Sequence, residues 1–313
     1  MNLWNTIGQA KDGLRKIGTY ATVTIGNFDG VHRGHQAIIR RTIELAKEKG
    51  DLAVAVTFVN HTGSMVGEKP LLINSLRVRR ELLIKQGIDA LLEIEFDNKM
   101  SQLEPEDFFR DWLVDGLRAR ELIIGYDFKY GKQGRGDFEL LKRLGALYNV
   151  NIEQIPPVLT DGEVISSSRI RRLLLAGELE RANKMLGYPF MIEGDVAHGE
   201  KRGRSLGFPT LNIYRAAEYI LPWYGVYLVR VIFNGQLFFG LANVGTKPTF
   251  GSYSPLTEVY LLDADIDLYG ENIRVEFLKF IRKEERFATA AELKNQIERD
   301  IQKAKEALPE YQT

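Results

Sequence analysis

Leu52 to Val59 reads Leu-Ala-Val-Ala-Val-Thr-Phe-Val, an uncharged run rich in valine. Branching at Cβ stiffens a side chain and suits it to a pleated surface rather than a helix. The run has no polar alternation, so neither face is meant for water. It therefore fits a strand of a parallel sheet with helices on both sides. The flanking sequence supplies the other layers. Ala21 to Ile25 is a short apolar strand, followed by a Gly-containing loop and a helical run from about Gly34 to Lys49 that ends at Gly50. Leu76 to Gln86 reads as helix, Ala90 to Glu95 as strand, Pro105 to Leu117 as helix and Glu121 to Gly125 as strand. Phe138 to Tyr148 is again helical, with a strand near Asn151 to Ile155. This succession predicts a doubly wound α/β domain.

Two short helices follow, Ser168 to Ala176 and Leu179 to Leu186, and then the texture changes. Strand-like runs dominate: Met191 to Ala197, Gly225 to Phe233, Leu237 to Val244, Thr257 to Leu262 and Ile273 to Ile281. Apolar and charged residues alternate in Ile273-Arg274-Val275-Glu276-Phe277, the period of a half-buried strand. Short strands separated by Gly and Pro predict a compact β-barrel. Thr289 with Glu292 forms a capping box that opens a final helix, with Leu293, Ile297, Ile301, Ala304 and Leu308 along one face. The chain is thus expected to divide near residue 186, into domains 1–186 and 187–313.

Lys+Arg and Asp+Glu both number 42, so there is no global charge to attract nucleic acid or an anionic membrane. Anions must be held by local charges and backbone donors. The absence of cysteine removes disulfides, thiolate metal sites and thiol nucleophiles. The N-terminus lacks the apolar core of a secretory signal, and the uncharged stretch Val231 to Thr246 is broken by polar residues and glycines. A soluble, cytoplasmic protein is expected, binding neither nucleic acid nor membrane and acting as a monomer or weak homo-oligomer.

The most informative segment is Thr24-Ile25-Gly26-Asn27-Phe28-Asp29-Gly30-Val31-His32-Arg33-Gly34-His35. It lies where the first strand hands over to the first helix, the ligand-binding edge of such a sheet. Its glycines permit tight turns and close backbone approach, and free N–H groups at a helix start attract anions. His32 and His35, three apart, project to the same side of a first turn. Two imidazoles there suit a triphosphate whose α-phosphorus is attacked. In Val164-Ile165-Ser166-Ser167-Ser168-Arg169-Ile170-Arg171-Arg172, serines open a helix and arginines crowd its N-terminal end. Cations are unfavourable at that end, and an anionic ligand removes the conflict. Gly125 to Gln133 is one residue too long for a Walker loop and lacks Ser/Thr after Lys132, and no Gly-x-Gly-x-x-Gly follows a strand.

In the second half, Gly203-Arg204-Ser205-Leu206-Gly207-Phe208-Pro209-Thr210-Leu211-Asn212 reads as a loop whose Thr210 and Asn212 face the same way where it is extended. They either stabilise a turn or offer hard oxygen ligands of the kind Mg²⁺ accepts. Glu258, in the otherwise apolar Thr257-Glu258-Val259-Tyr260-Leu261-Leu262, is either a solvent-facing residue or a base able to take a proton from a hydroxyl.

His32-Arg33-Gly34-His35 with Ile165-Ser166-Ser167-Ser168-Arg169-Ile170-Arg171 resembles the paired signatures of the HxGH nucleotidylyltransferases. Gly26 to His32 and Gly125-Tyr126-Asp127-Phe128-Lys129-Tyr130-Gly131 resemble the adenylyltransferase module of prokaryotic bifunctional riboflavin kinase/FAD synthetases. Gly207-Phe208-Pro209-Thr210-Leu211-Asn212 is similar to the Pro-Thr-Ala-Asn motif of riboflavin kinases. Gly225-Val226-Tyr227, Asn243 to Thr249, Glu258-Val259-Tyr260 and Ile281 to Phe287 match that family in order. The resemblance spans about Thr22 to Leu308. It implies a Rossmann-like nucleotidylyltransferase domain followed by a Greek-key barrel with a trailing helix. It also implies phosphorylation of riboflavin to FMN, then adenylylation of FMN to FAD.

Carried over by position, Gly26, Asn27, Phe28, Asp29, Gly30, Asp127, Ser167, Ser168, Arg169 and Arg171 would bind nucleotide, with His32 and His35 catalytic. Phe58, His61, Phe128 and Tyr130 would meet the flavin. In the barrel, Gly207, Thr210 and Asn212 would hold Mg-ATP, Thr210 and Asn212 being the metal ligands, and Glu258 would activate the ribityl hydroxyl. Mg²⁺ would accompany ATP, no tightly bound organic cofactor is implied, and the flavins are substrate and product. The sequence departs from the family at Phe58-Val59-Asn60-His61-Thr62, where Phe-x-Pro-His-Pro is usual, and at Asp127, where Asn is commoner. The rival readings are a nucleotidylyltransferase for pantetheine phosphate or NMN, which leaves the β-rich half unexplained, and a flavin-binding regulator with impaired adenylyl transfer.

Overall fold

A computed structural model of the chain describes residues 1–65, 67, 69–197, 207–249, 252–264 and 266–312, with the backbone alone at 64, 65, 246–249 and 252–256. Gly203 to Leu206 of the second motif lie outside the described residues. Two compact units divide the chain: residues 1–70 with 76–166, and residues 71–75 with 167–313.

The first unit is built on a six-stranded sheet in the order β1-β4-β3-β2-β5-β6. The strands are β1 (Asn2–Trp4), β2 (Ala21–Ile25), β3 (Leu52–Phe58), β4 (Ala90–Ile94), β5 (Ala119–Gly125) and β6 (Asn151–Ile155), and every ladder between them is parallel. Every residue of β2 and β4 is buried, as a sheet covered on both faces requires. Helices α1 (Ile7–Ile17), α2 (Arg33–Lys49) and α3 (Leu76–Lys85) lie among these strands in sequence. The chain leaves β2 toward β3 and leaves β5 toward β6, so the order reverses between β2 and β5. The crevice beyond the carboxyl ends of such a strand pair is where α/β sheets bind ligands. The loops after β2 and β5 carry the two motifs Gly26 to His32 and Gly125 to Gly131.

Pro105 to Leu117, expected as one α-helix, instead begins with a short turn, Pro105–Asp107, and continues with π winding over Phe108–Val114. The wider turn buries the neighbours Phe108 and Phe109 together with Leu113.

The second unit is a closed antiparallel barrel, β10-β13-β12-β11-β14-β9. A separate two-stranded ribbon, β7 (Leu159–Thr160) with β8 (Glu163–Val164), ends the first unit. The barrel strands are β9 (Phe190–Ala197), β10 (Thr210–Tyr214), β11 (Gly225–Phe233), β12 (Gln236–Thr249), β13 (Ser252–Leu261) and β14 (Asn272–Lys283). Thr210 to Asn212, the end of the segment read from sequence as a loop, thus belong to a strand, Thr210–Tyr214, paired on both sides. The helices Ser167–Leu175 and Leu179–Leu186 belong to this unit. The second of them buries Leu179, Ala182, Met185 and Leu186. The final helix, Ala290–Ala307, starts with the expected capping box: Thr289 Oγ1 accepts the Glu292 N–H, and the Glu292 carboxylate accepts the Ala288 N–H. Ile301, Ala304, Ala307 and Leu308 pack on Val226, Leu228, Leu241, Leu262 and Leu278. Leu293 and Ile297 are only half-buried, while Gln296 and Asp300 are buried. Asp300 is tolerated there because both its oxygens accept from Arg282 Nε, at 3.0 and 2.9 Å, and Gln296 donates to it.

Candidate active sites

Between β2 and α2 the backbone of Phe28, Gly30 and Val31 is left-handed, with φ of 46°, 83° and 31°. For a residue with a side chain this conformation costs about 1–3 kcal/mol. Phe28 and Val31 are buried against Ile39, Ala46, Ala53 and Ala55, and that packing holds the turn in shape. The turn delivers the chain to the start of α2, where unpaired N–H groups and the helix dipole favour an anion.

His32 is the N-cap of α2, and its Nδ1 accepts the His35 N–H at 3.3 Å. This bond places the imidazole proton on Nε2. The His32 and His35 rings stack at 3.6 Å, and Phe28 meets His35 edge-on at 5.3 Å. Burial, then His32, then the Arg79 guanidinium hold His35 well below its usual value of 6.5, so it is neutral near pH 7. Its Nδ1 is buried with no hydrogen-bond partner among the described residues. Gly34 leaves room for this pair: a Cβ there would stand 3.1 Å from His32 Nδ1 and Cε1. The Ile165 carbonyl, leading into Ser166, is 3.8 Å from the same point.

Arg79 on α3 is buried, donating from Nη1 to the Asn27 carbonyl at 2.8 Å and from Nη2 to the Phe58 carbonyl at 2.5 Å. It ties the loop after β2 to the loop after β3. Asp29 is buried within the turn. Asp127 is exposed after β5, its Oδ1 3.4 Å from where a Cβ of Gly125 would stand. Phe128 stacks on Tyr130 at 5.9 Å, and Phe58 meets Phe96 edge-on at 5.4 Å. All four rings line one apolar cluster. Phe58 and Tyr130 are buried in it and Phe128 only partly; His61 is half-buried. Ser167, Ser168, Arg169 and Arg171 stand in the first turns of the helix that opens the second unit. There Arg171 Nε donates to the Leu71 carbonyl at 2.7 Å.

On the barrel, Asn212 of β10 stands directly opposite Glu258 of β13, which stands opposite Asn243 of β12. Thr210 is opposite Tyr260, and Tyr260 opposite Leu241. Residues opposed across a ladder share a face. Leu241 and Tyr260 pack with the final helix, so this is the outer face. Leu211, Ala242 and Val259, one residue out of phase, are buried on the inner one. Thr210, Asn212, Asn243 and Glu258 are thus gathered on adjacent outer positions. Gly207, just before, is left-handed at φ 90°. A threonine hydroxyl and an amide oxygen are hard neutral donors, and no group of three His, Cys, Asp or Glu capable of holding an ion occurs among the described residues. Such a sparse set fits Mg²⁺, which keeps waters and is bound largely through substrate phosphates.

Comparison with known proteins matches each unit separately. Residues 15–169 match the FAD synthetase family and 186–308 the riboflavin kinase family. The bifunctional riboflavin kinase/FMN adenylyltransferase of Escherichia coli is 38% identical over 91% of both chains. Its counterparts in Listeria monocytogenes and Bacillus subtilis are each 36% identical, over 90% and 91% of both chains. This chain belongs to the bifunctional riboflavin kinase/FMN adenylyltransferase family.

It is accordingly a transferase of flavin cofactor biosynthesis, with kinase and nucleotidyltransferase domains. A solved structure described as a macrolide-efflux protein of Streptococcus pneumoniae has a TM-score of 0.86 at 29% identity, covering 97% of this chain and 99% of that one. Among the described residues of the flavin transferase, no helix is long and apolar enough to cross a membrane. Two residues at these sites, Arg79 and Asn243, are not among the expected site residues. Arg79 stands in the charged run Arg77-Val78-Arg79-Arg80-Glu81, where spacing singles out none of the arginines. Asn243 could have been found: it follows Leu241 by the strand period in a segment already read as strand.

Proposed function

We propose that the chain phosphorylates riboflavin to FMN on the outer face of the barrel and adenylylates FMN to FAD at the head of α2. The observation that carries this reading is that each compact unit gathers its own set of phosphate-directed side chains where the corresponding family match falls. The work divides near residue 186, with 1–186 carrying adenylyl transfer and 187–313 the kinase.

In the kinase step the Glu258 carboxylate takes the proton of the ribityl 5′-hydroxyl as that oxygen bonds to the γ-phosphorus of ATP and ADP departs. Thr210 and Asn212 would hold Mg²⁺ with the nucleotide, and the ion would supply charge neutralisation. In the second step an FMN phosphate oxygen attacks the α-phosphorus of another ATP, and pyrophosphate leaves. His32 and His35, the latter neutral, donate N–H bonds to the phosphate oxygens as charge shifts onto pyrophosphate. The loop Gly26 to Gly30 cradles the nucleotide, with Asp127 beside it, and Ser167, Ser168, Arg169 and Arg171 are assigned to nucleotide binding by the family resemblance alone. Phe58, His61, Phe128 and Tyr130 form the flavin side. Both steps are phosphorus displacements driven by positioning and charge stabilisation. The enzyme works in the cytoplasm as a monomer or weak homo-oligomer.

The test is incubation with riboflavin and Mg-ATP, with FMN and FAD resolved by chromatography. FMN should appear first and FAD should follow, and His35→Ala should stop at FMN. A parent protein that makes FMN but never FAD would overturn the adenylylation reading.

A further inference from the structure

The segment leaving β3 is held unusually firmly for a connection. Val59 N–H still bonds to the Ile94 carbonyl, continuing the ladder with β4 for one residue past the strand. At the next position the Asn60 side chain takes over the role of a peptide group. Its Nδ2 donates to the Phe96 carbonyl at 2.9 Å, and its Oδ1 accepts the Phe96 N–H at 2.8 Å. Thr62 is held in the same reciprocal way from the opposite side. Its N–H donates to Asn27 Oδ1 at 3.2 Å, and its Oγ1 accepts from Asn27 Nδ2 at 2.9 Å. Asn60 thus pins the segment to the exit of β4, and Thr62 pins it to the exit of β2. Arg79 clamps the Phe58 and Asn27 carbonyls between the two.

His61 is the middle residue of a span fixed at both ends. Its Nδ1 accepts the Gly63 N–H at 3.0 Å, which leaves the ring proton on Nε2. Both Asn27 amide atoms are engaged with Thr62, so its side chain serves the segment rather than a phosphate.

We propose that Asn60 and Thr62 are positioning residues for the FMN side of adenylylation: through Phe96 and Asn27 they fix Phe58 and His61 before the flavin arrives. Neither touches the flavin. Connections ordinarily carry more freedom than the strands they join, and removing that freedom in advance lowers the cost of binding. The inference rests on the adenylylation reading given above.

The test uses the full chain, with Asn60→Ala, Thr62→Val and Thr62→Ser, the last of which keeps both the hydroxyl and the N–H. The FMN KM and kcat of FAD formation are measured with the ATP KM, and riboflavin phosphorylation reports that the protein is folded. Asn60→Ala and Thr62→Val are each expected to raise the FMN KM about tenfold, since the loosened segment must then be ordered at each binding event. The ATP KM and riboflavin phosphorylation stay within twofold, and Thr62→Ser restores the parent value. Asn27→Ala combined with Thr62→Val costs no more FMN affinity than the worse single change, because the two residues form one clasp. An FMN KM within twofold of parent in both Asn60→Ala and Thr62→Val overturns the inference. So does a parallel rise in both KM values, the sign of general loosening. A parent protein that makes no FAD from FMN overturns the adenylylation reading itself and this inference with it.

Discussion

Gly34→Ala separates catalytic geometry from stability at the head of α2. The added Cβ would lie 3.1 Å from two atoms of the His32 ring. Comfortable carbon contacts begin near 3.5 Å, so the ring must yield by about half an ångström. It has little room, because His35 stacks on it at 3.6 Å and its Nδ1 already accepts the His35 N–H at 3.3 Å. Further stretching breaks that cap, at a cost of about 0.5–2 kcal/mol. Against this, Ala is favoured over Gly inside a helix by about 1 kcal/mol. The two nearly cancel, and the unfolding midpoint should move little.

Catalysis has no such compensation. A 1 Å misplacement costs about 10²-fold, so half of that costs roughly tenfold. The assay is FAD formation from FMN and Mg-ATP beside riboflavin phosphorylation on the same sample, with thermal melting. We expect kcat/KM for FAD to drop about tenfold while the kinase and the melt stay unchanged. FAD formation within twofold of parent would refute the reasoning, because the His32 ring would then be free to move without consequence.

Glu258→Gln should lower kcat for riboflavin phosphorylation by about 10²–10⁴-fold, the usual share of a general base, and leave adenylylation of supplied FMN intact. A kcat within a few-fold of parent would make Glu258 a plain outer-face residue. His35 is neutral in the fold, while the unfolded chain binds its proton near pH 6.5. Its contribution to stability is therefore full above about pH 6.5 and is lost as the pH falls from there toward the lowered folded value. The parent's unfolding midpoint should drop further between about pH 7 and 5.5 than that of His35→Gln, and parallel curves would contradict this. Asp300→Ala should destabilise the barrel unit in urea by about 3 kcal/mol or more, because it strands the mostly buried Arg282 guanidinium. A loss below 1 kcal/mol would mean that water reaches that arginine.

How much of this was legible in the sequence depended on how local each feature is. The His32–His35 pair depends only on one helical turn, and the central strands on unbroken apolar runs. The first strand and helix went unread because β1 has three residues and its one buried side chain, Trp4, packs on Gly13 of α1. A Cβ at Gly13 would sit 2.8 Å from that indole, a fit that no periodicity announces. The final helix defied its apolar stripe because Arg282, 18 residues earlier on β14, makes a buried Asp300 affordable. The Asn27–Thr62 and Asn60–Phe96 clasps join residues more than 30 apart, and only the parallel order of β2, β3 and β4 brings them together.

The barrel site shows the same dependence at its most demanding. Thr210, Asn212, Asn243 and Glu258 come from three strands, and they share a face only in the observed register. Sliding β13 by one residue would turn Glu258 inward, among the buried Leu211, Ala242 and Tyr227. An unpaired carboxylate there would cost several kcal/mol or stay protonated and useless as a base. The apolar partners Tyr260 and Leu241 would lose the final helix in the same slip. Burial of the inner face and docking of that helix therefore set the register, and the register assembles the proposed catalytic face. The proposed kinase site is thus specified largely by residues outside it, which is why its motif residues could be found in the sequence while their meeting could not.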